Sequence, residues 1–213
     1  MVMVDNRARA MSEPATVFLV DDDPMVCEAL TLLLQSEKFK VESFRSADQF
    51  LHGYHPVGLG CVILDVSMPG MDGLTLQSRL TEKGVRLPII FLTGEADVPE
   101  AVQAIKAGAV DFLRKPVSGE ELLRCVNLAL VEDAKRLLED ERRSSLMERV
   151  RRLTPREKEV MSLLASGMSN KEIGLKLNIS HRTVEVHRSR IMEKMKAESF
   201  PKLIDMARAC EIL

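Results

Sequence analysis

Several side chains that could do chemistry follow β-rich apolar runs of the sequence, each at the point where its run ends. Asp65 comes directly after the run CVIL at 61–64, and the turn-rich stretch VSMPGMDG follows it. An uninterrupted apolar run bounded by turn residues is typical of a buried strand in a parallel sheet. The polar groups in equivalent places are Asp21, Asp22, Thr93 and Lys115. Because the carboxyl ends of parallel strands share one edge of the sheet, we expect these groups to converge there.

Phosphoryl transfer to Asp65 is the chemistry that this set predicts. Clustered carboxylates repel one another unless a cation joins them, and a small number of hard oxygen ligands suits Mg²⁺. A metal ion, the ammonium of Lys115 and the hydroxyl of Thr93 would each stabilise one oxygen of a phosphoryl group. An aspartyl phosphate is an established type of covalent intermediate. For Asp65 taken alone, a solvated carboxylate at a strand end is the alternative.

Amphipathic segments alternate with the β-rich runs over the first part of the chain. The predicted strands cover residues 16–20, 39–44, 61–64, 88–92 and 110–113. The predicted helices cover about 25–36, 46–51, 74–82 and 98–107, with a last helix from about 118. Asp23 precedes the first helix and is interpreted as a charge that the helix dipole favours. Five strands alternating with five helices predict an α/β doubly wound five-stranded parallel sheet.

Residues 16–130 resemble the receiver domain of bacterial two-component response regulators, which has a flavodoxin-like fold. The resemblance is carried by the acidic pair, the loop LDVSMPGMDG, the step Thr93-Gly94 and the step Lys115-Pro116, in family order and at family spacing. It implies that Asp65 is the phospho-acceptor. It also implies a Mg²⁺ site, with Asp21 acting through water. The direct ligands would be Asp22, Asp65 and the backbone carbonyl of Ser67.

The same resemblance gives roles to residues beside the acceptor. Thr93 and Lys115 would contact the phosphoryl group, and the peptide bond between Lys115 and Pro116 would be cis. Phe112 occupies the family's switch position and is expected to turn inward as Thr93 moves toward the phosphate. A plain core position is the alternative for Phe112.

A connector without glycine or proline extends from residue 122 to residue 152. Its apolar residues step by three and four, which predicts an amphipathic helix; they are Leu123, Val126, Leu130, Ala134 and Leu137. The last receiver helix could simply continue with this stripe on the sheet. A projecting linker helix over 131–152 is favoured, since beyond about Leu130 the helix would outrun its sheet. Whether the stripe forms a short coiled-coil dimer stays open.

Four short helices are predicted from Leu153 onward. Thr154 and Glu157 form a capping box for the first helix, with Pro155 at its first position. The others are predicted at 170–177, 181–195 and about 200–212, with a tight turn at 178–180. Two helices joined by three or four residues form a helix-turn-helix, whose second helix enters the major groove of DNA.

Residues 153–213 resemble the LuxR-type DNA-binding domain through the segments LTPREKEV, GMSNKEIGLKLNIS and TVEVHRSRIMEKM. Val184, Ile191 and Met195 are predicted to face inward, and a solvated helix face is the alternative for the remainder of that helix. The resemblance implies base-edge contacts from Thr183, Glu185, Val186, Ser189 and Arg190. It implies phosphate contacts from Lys171, Arg182 and Arg188. The fourth helix would mediate dimerisation, which predicts two inverted half-sites in the target.

The composition is that of a soluble globular protein with two parts of opposite charge. Apolar residues make up 46 % and charged residues 29 % of the 213, which excludes a disordered chain. The net charge is −2, yet from residue 150 onward thirteen Lys/Arg stand against eight Asp/Glu, which leaves an acidic first part. The four cysteines form no CxxC pair, as expected of reduced thiols in the cytoplasm. No apolar run reaches the roughly 20 residues that a membrane span requires.

We predict four segments: a disordered tail over 1–15, a receiver over 16–130, a helical linker over 131–152 and a helix-turn-helix domain over 153–213. The whole resembles the FixJ group of response regulators. A sensor histidine kinase would phosphorylate Asp65, which would cause homodimerisation or release of the DNA-binding domain. Binding to promoter DNA would then affect RNA polymerase, with activation as the commoner outcome. No enzymatic activity is expected beyond the protein's own phosphorylation and dephosphorylation.

Two other functions compete with this interpretation. A phosphohydrolase with an aspartyl-phosphate intermediate would commonly carry a second Asp two residues after the nucleophile, where this chain has Ser67. A DNA-binding protein with a pseudo-receiver would merely dimerise. The complete set of acids, threonine and lysine opposes that second alternative.

Overall fold

The computed structural model describes residues 14–56, 58–94 and 108–210 of the chain. They belong to two compact units divided between Leu137 and Leu138. The first unit is α/β and the second is all-α, as predicted. The helix predicted over 98–107 lies outside the described residues, and so do most of the predicted tail and the end of the last predicted helix.

A five-stranded sheet forms the centre of the first unit. Its strands are β1 (Thr16–Val20), β2 (Lys40–Phe44), β3 (Gly60–Asp65), β4 (Ile89–Thr93) and β5 (Asp111–Arg114). All neighbouring strands are parallel, in the order β2-β1-β3-β4-β5. Strands β1, β3 and β4 are buried along their whole length, as their unbroken apolar runs predict. The order places the carboxyl ends of β1, β3, β4 and β5 side by side.

Helices cover both faces of this sheet. They are α1 (Pro24–Ser36), α2 (Ala47–Gly53), α3 (Gly73–Glu82) and α4 (Gly119–Arg151). Val17 and Leu19 of β1 enter the core formed with α1 and α4, whereas Phe18 and Val20 enter the core formed with α2 and α3. This alternation is the period of two that a strand imposes. The doubly wound architecture is therefore confirmed.

Polar side chains begin three of these helices. Asp23 accepts a hydrogen bond from the amide of Met25, Ser46 accepts one from that of Gln49, and Asp72 accepts one from that of Thr75. Each bond satisfies one of the amides that the first turn of a helix leaves without a partner. Asp23 thus serves α1 by a direct cap as well as by its charge.

The last receiver helix and the connector form one continuous helix, α4, which extends from Gly119 to Arg151. Val126 and Leu130 of the predicted stripe are buried in the core of the first unit, and Leu123 packs against it. This part of the stripe is therefore engaged within its own chain, and dimerisation through the connector stays a prediction. The apolar side chains that α4 leaves exposed in this region are Leu128 and Val131.

A buried carboxylate extends the contact of α4 with the sheet. Asp133 is fully buried, and its carboxylate accepts hydrogen bonds from the amide of Gly60 at 3.0 Å and from the guanidinium of Arg136 at 2.8 Å. Gly60 is the first residue of β3, so the hydrogen bond between Gly60 and Asp133 fixes α4 to the central strand beyond Leu130. The contact of the helix with the sheet therefore extends to Asp133, about one turn beyond Leu130, and the projecting linker helix over 131–152 stays a prediction.

The second unit packs four helices and the last turns of α4 around one core. The helices are α5 (Pro155–Ala165), α6 (Asn170–Leu177), α7 (His181–Met195) and α8 (Phe200–Ala209). The predicted capping box of Thr154 and Glu157 is present. The predicted inward residues of α7, namely Val184, Ile191 and Met195, are fully buried. Among the described residues, no helix has the length and apolar character to cross a bilayer.

Candidate functional sites

The groups predicted to converge at the carboxyl edge of the sheet do so. Asp21 directly follows β1 and is fully buried, while Asp65 and Thr93 are the buried last residues of β3 and β4. Lys115 directly follows β5, and its Nζ lies 2.7 Å from Asp21 Oδ2 and 3.1 Å from Asp65 Oδ1. These groups come from four adjacent strands, so the sheet order itself brings them together. Asp22 lies beside them and is exposed.

This site carries more negative charge, from its carboxylates, than positive charge, from Lys115. Burial raises the pKa of Asp65, and the hydrogen bond and charge of Lys115 oppose this effect without cancelling it. Burial acts to lower the pKa of Lys115, but its hydrogen bonds to Asp21 and Asp65 outweigh burial and raise that pKa. Lys115 is therefore a permanent ammonium, shared between carboxylates that exceed it in charge.

The donor set fits a small, hard cation. One oxygen from each of Asp21, Asp22 and Asp65 can be chosen so that all three lie within 4.8 Å of one another. Carboxylates in this number are the usual protein ligands of Mg²⁺, which retains several waters. The excess negative charge is what such a cation would offset.

Close backbone packing at Gly73 shapes the loop after Asp65. The amide of Gly73 donates to the carbonyl of Val66 at 2.9 Å. A Cβ atom on Gly73 would lie 2.3 Å from the backbone carbonyl oxygen of Asp65 and 3.1 Å from Cε1 of Phe91. Only glycine fits this position, because the carbonyl belongs to the backbone and cannot rotate away. The sequence indicated a turn here but not this contact.

The Lys115–Pro116 bond has the geometry that the resemblance implied, and Phe112 lies close to Phe91. The Phe112 ring is half-buried, and its centroid is 6.0 Å from that of Phe91. The peptide bond between Lys115 and Pro116 is cis. The switch role of Phe112 stays a prediction, and its partial exposure distinguishes it from an ordinary core residue.

Most of the residues predicted to contact DNA are exposed on α6 and α7. The exposed ones are Lys171, Arg182, Glu185, Val186, Ser189 and Arg190. Thr183 is half-buried, and its hydroxyl lies 2.7 Å from that of Ser180, which caps α7. Arg188 is half-buried, and the Cζ of its guanidinium lies 4.0 Å from the centroid of the Phe200 ring, over the face of that ring. Thr183 and Arg188 therefore have intramolecular contacts that the sequence did not reveal.

Both units match known protein families. Residues 17–127 match the response regulator receiver domain, and residues 151–207 match the luxR family of bacterial regulatory proteins. The response regulator protein TodT of Pseudomonas putida is 45% identical over 197 residues, which cover 92% of this chain and 87% of that protein. The transcriptional regulatory protein FixJ of Azorhizobium caulinodans is 41% identical over 197 residues, covering 92% and 93%.

The chain belongs to the two-component response regulators with a LuxR-type DNA-binding domain.

Solved structures agree with this assignment. The response regulator StyR is similar to this regulator with a TM-score of 0.80 and 40% identity, over 92% of this chain and 98% of that one. Full-length FixJ from B. japonicum has a TM-score of 0.57 and 38% identity, over 93% and 98%. Both matched families are regulatory, which opposes the phosphohydrolase alternative.

A partly buried ion pair holds the predicted recognition helix of the regulator. Glu157, the capping-box residue of α5, accepts hydrogen bonds from the amide of Thr154 at 2.8 Å and from Nζ of Lys194 at 2.6 Å. Lys194 belongs to α7, so one carboxylate both caps α5 and anchors α7. The sequence predicted the cap but not the pair with Lys194, because the partners are remote and neither belongs to a local pattern.

The ion pair between Glu157 and Lys194 is expected to make this unit sensitive to acid. Burial acts to raise the pKa of Glu157, but the hydrogen bonds from Lys194 and Thr154 outweigh it and lower the pKa below its ordinary value of 4.5. A lowered pKa means stability that is present above pH 4.5 and is lost as the pH falls through the folded-state value. Thermal unfolding of Glu157→Gln and wild type at neutral pH should show a clear loss in the variant.

The two melting temperatures should approach each other as the pH falls below the ordinary pKa of Glu157. Glu159→Gln is the matched control, because Glu159 makes an exposed pair with Arg156 that contributes little. A difference between Glu157→Gln and wild type that stayed constant down to acid pH would contradict the role of the ion pair.

Proposed function

We propose that this regulator accepts a phosphoryl group on Asp65 from a sensor histidine kinase, and that phosphorylation controls its dimerisation and its binding to promoter DNA. The observation that supports this most strongly is the position of Lys115. Its Nζ lies between Asp21 and Asp65 at 2.7 and 3.1 Å, at the edge where Thr93 ends the neighbouring strand. A nucleophile, a fixed ammonium and a hydroxyl in one site are the groups that phosphoryl transfer uses.

Asp65 acts as the nucleophile. Its carboxylate oxygen attacks the phosphorus of a phosphohistidine, so that an O–P bond forms while the N–P bond breaks and the imidazole leaves. The ammonium of Lys115 stabilises the negative charge on one phosphoryl oxygen. Thr93, at the end of β4, supplies its hydroxyl to another. Phosphorylation and dephosphorylation of its own Asp65 are the extent of the catalysis that we assign to the regulator.

Asp22, Asp65 and the backbone carbonyl of Ser67 would hold Mg²⁺ directly. Asp21 would act through water, as the resemblance to receiver domains implies; its Oδ1 accepts a hydrogen bond from the amide of Asp23 and its Oδ2 accepts one from Lys115. When bound, Mg²⁺ would offset the charge of the carboxylates and of the incoming phosphoryl group. Asp22 is exposed, which leaves its carboxylate accessible to an ion.

Thr93 and Phe112 would carry the change away from Asp65. Movement of Thr93 toward the phosphoryl group would vacate space, and the half-buried ring of Phe112 would turn into it. The surface that includes β5 would then either dimerise or release the DNA-binding domain. Each result is a shift between two states that phosphorylation favours unequally.

The face of α7 would read DNA in the major groove. Thr183, Glu185, Val186, Ser189 and Arg190 would approach base edges. Lys171, Arg182 and Arg188 would contact phosphates. Dimerisation through α8 would match two inverted half-sites about one helical turn apart. Several relatives are transcriptional regulatory proteins, which supports promoter DNA as the target and RNA polymerase as a further partner. We propose that the regulator activates transcription and that it does so in the cytoplasm.

Sedimentation velocity with Mg²⁺, with and without beryllofluoride as a phosphoryl mimic, tests this function. A shift from monomer to dimer is expected. Mg²⁺ with fluoride alone is the control. An unchanged monomer with confirmed mimic binding would replace dimerisation by domain release. Failure of the mimic to bind would overturn the proposal in favour of the pseudo-receiver alternative.

A further inference from the structure

The end of the connector helix α4 contacts the end of the predicted recognition helix α7. Arg149, in the last turn of α4, donates from Nη1 to the backbone carbonyl of Met195 at 3.1 Å. Met195 is the last residue of α7. Arg149 lies outside both family matches, which cover residues 17–127 and 151–207. The contact therefore joins the connector to the matched luxR-family segment.

The chemistry of a helix end explains why an arginine belongs there. The last carbonyls of a helix lack intrahelical partners and carry a partial negative charge. In α7, the amides of Lys196 and Ala197 bond to the carbonyls of Glu193 and Met192. The guanidinium of Arg149 takes the carbonyl of Met195, through a charge-assisted hydrogen bond that is stronger than a neutral one.

The neighbours of Arg149 place α4 firmly in the same core. Val150 is 7 % exposed and Leu153 is 4 % exposed within the core of the second unit, and Leu146 packs against them. Because its own backbone is held in this way, the guanidinium of Arg149 is presented from a fixed position. Together with the pair between Glu157 and Lys194, it leaves the carboxyl-terminal end of α7 held at two points.

We propose that Arg149 is a positioning residue for sequence-specific DNA binding. It touches no base; it fixes the direction of α7 so that side chains near the other end meet base edges. Base-edge hydrogen bonds require donor–acceptor distances of about 3 Å, so a shift of about 1 Å weakens them, whereas flexible phosphate contacts follow the shift. The inference rests on the proposed role of α7 in reading DNA.

The test compares the affinity of full-length variants for two duplexes: one recovered from a random library by the wild-type protein, and one of scrambled sequence. Arg149→Met should lose about tenfold in affinity for the selected duplex and less than about twofold for the scrambled one. The slope of affinity against salt should stay unchanged, because no phosphate contact is removed. Arg149→Lys, which keeps a charge and a donor, should recover most of the loss.

Two controls separate positioning from other effects. Arg152→Met removes an arginine whose guanidinium forms an exposed pair with Glu148 on α4 and should change nothing. Arg190→Ala, on the predicted base-reading face, should lose discrimination between the duplexes. All measurements are made well below the melting temperature of each variant, so that a mere loss of stability leaves the ratio of the two affinities unchanged.

Each pattern of results has one meaning. If Arg190→Ala loses discrimination and Arg149→Met does not, the positioning role is wrong and the proposed role of α7 stands. If Arg149→Met weakens binding to both duplexes equally and lowers the salt slope by about one, Arg149 is a phosphate contact and the positioning role is again wrong. If neither variant loses discrimination, both proposals fall.

Discussion

Replacing Asp65 with Asn is expected to abolish phosphorylation of the regulator. The amide is a poor nucleophile and cannot form an acyl phosphate, while the other groups of the site stay in place. Incubation with Mg²⁺ and a small-molecule phosphodonor, followed by intact-mass analysis, should show one added phosphoryl group on wild type and none on Asp65→Asn. Incorporation that survived in the variant would refute Asp65 as the acceptor.

The loss in Asp65→Asn should be chemical and should leave the fold intact. Because the pKa of Asp65 is raised in the folded protein, its ionised form is less stable there than in the unfolded chain. Neutralising it is therefore expected to leave the melting temperature unchanged or slightly higher. Asp72→Asn is the matched control, because Asp72 is an exposed helix cap in the same loop and Asn caps almost as well. This control should accept phosphate normally.

Replacing Gly73 with Ala is expected to damage the fold around the acceptor. The added Cβ would lie 2.3 Å from the carbonyl oxygen of Asp65, so the end of β3 or the start of α3 must move. Forced overpacking of this kind costs on the order of 3 kcal/mol in the free energy of unfolding. Denaturant unfolding should show that loss, and the rate of phosphorylation should fall because Asp65 is displaced from Lys115.

Gly119→Ala gives the comparison for this change. Among the residues that the structure describes, a Cβ at Gly119, the first residue of α4, would meet the methyl groups of Leu33 at 3.4 Å, which is an ordinary contact. Alanine is also a better helix former than glycine, so this variant should be as stable as wild type or more stable. Equal stability of Gly73→Ala and Gly119→Ala would show that the backbone at Asp65 yields freely, against our expectation.

The fold of the first unit and the geometry of its proposed phosphorylation site were predictable because their signals are local. Each strand is an apolar run, and each functional side chain stands at the end of its run. Because the carboxyl ends of parallel strands lie at one edge of the sheet, Asp65, Thr93 and Lys115 must meet at that edge. The same holds for α5, whose cap and first proline are adjacent in the sequence.

The contacts that could not be predicted from the sequence join residues that are far apart in the chain. In the sequence, Asp133 is indistinguishable from the other acidic residues of a charged helix, yet in the structure it is buried against the first residue of β3. Nothing near Glu157 indicates Lys194, and nothing near Arg149 indicates the carbonyl of Met195. Such pairs depend on how helices pack, which periodicity does not encode. The close packing of Gly73 against the carbonyl of Asp65 could not be predicted for a similar reason, since a turn motif does not indicate how tightly the turn packs against its neighbours.

Affinity for a selected operator duplex, measured with and without beryllofluoride in wild type and in Asp65→Asn, tests the control of DNA binding by phosphorylation most directly. We predict that the mimic strengthens binding by wild type about tenfold or more, a typical coupling between two sites, and leaves Asp65→Asn unchanged. Equal affinity of wild type in both states, with mimic binding confirmed, would contradict phosphorylation control of DNA binding. An equal gain in both proteins would contradict Asp65 as its origin.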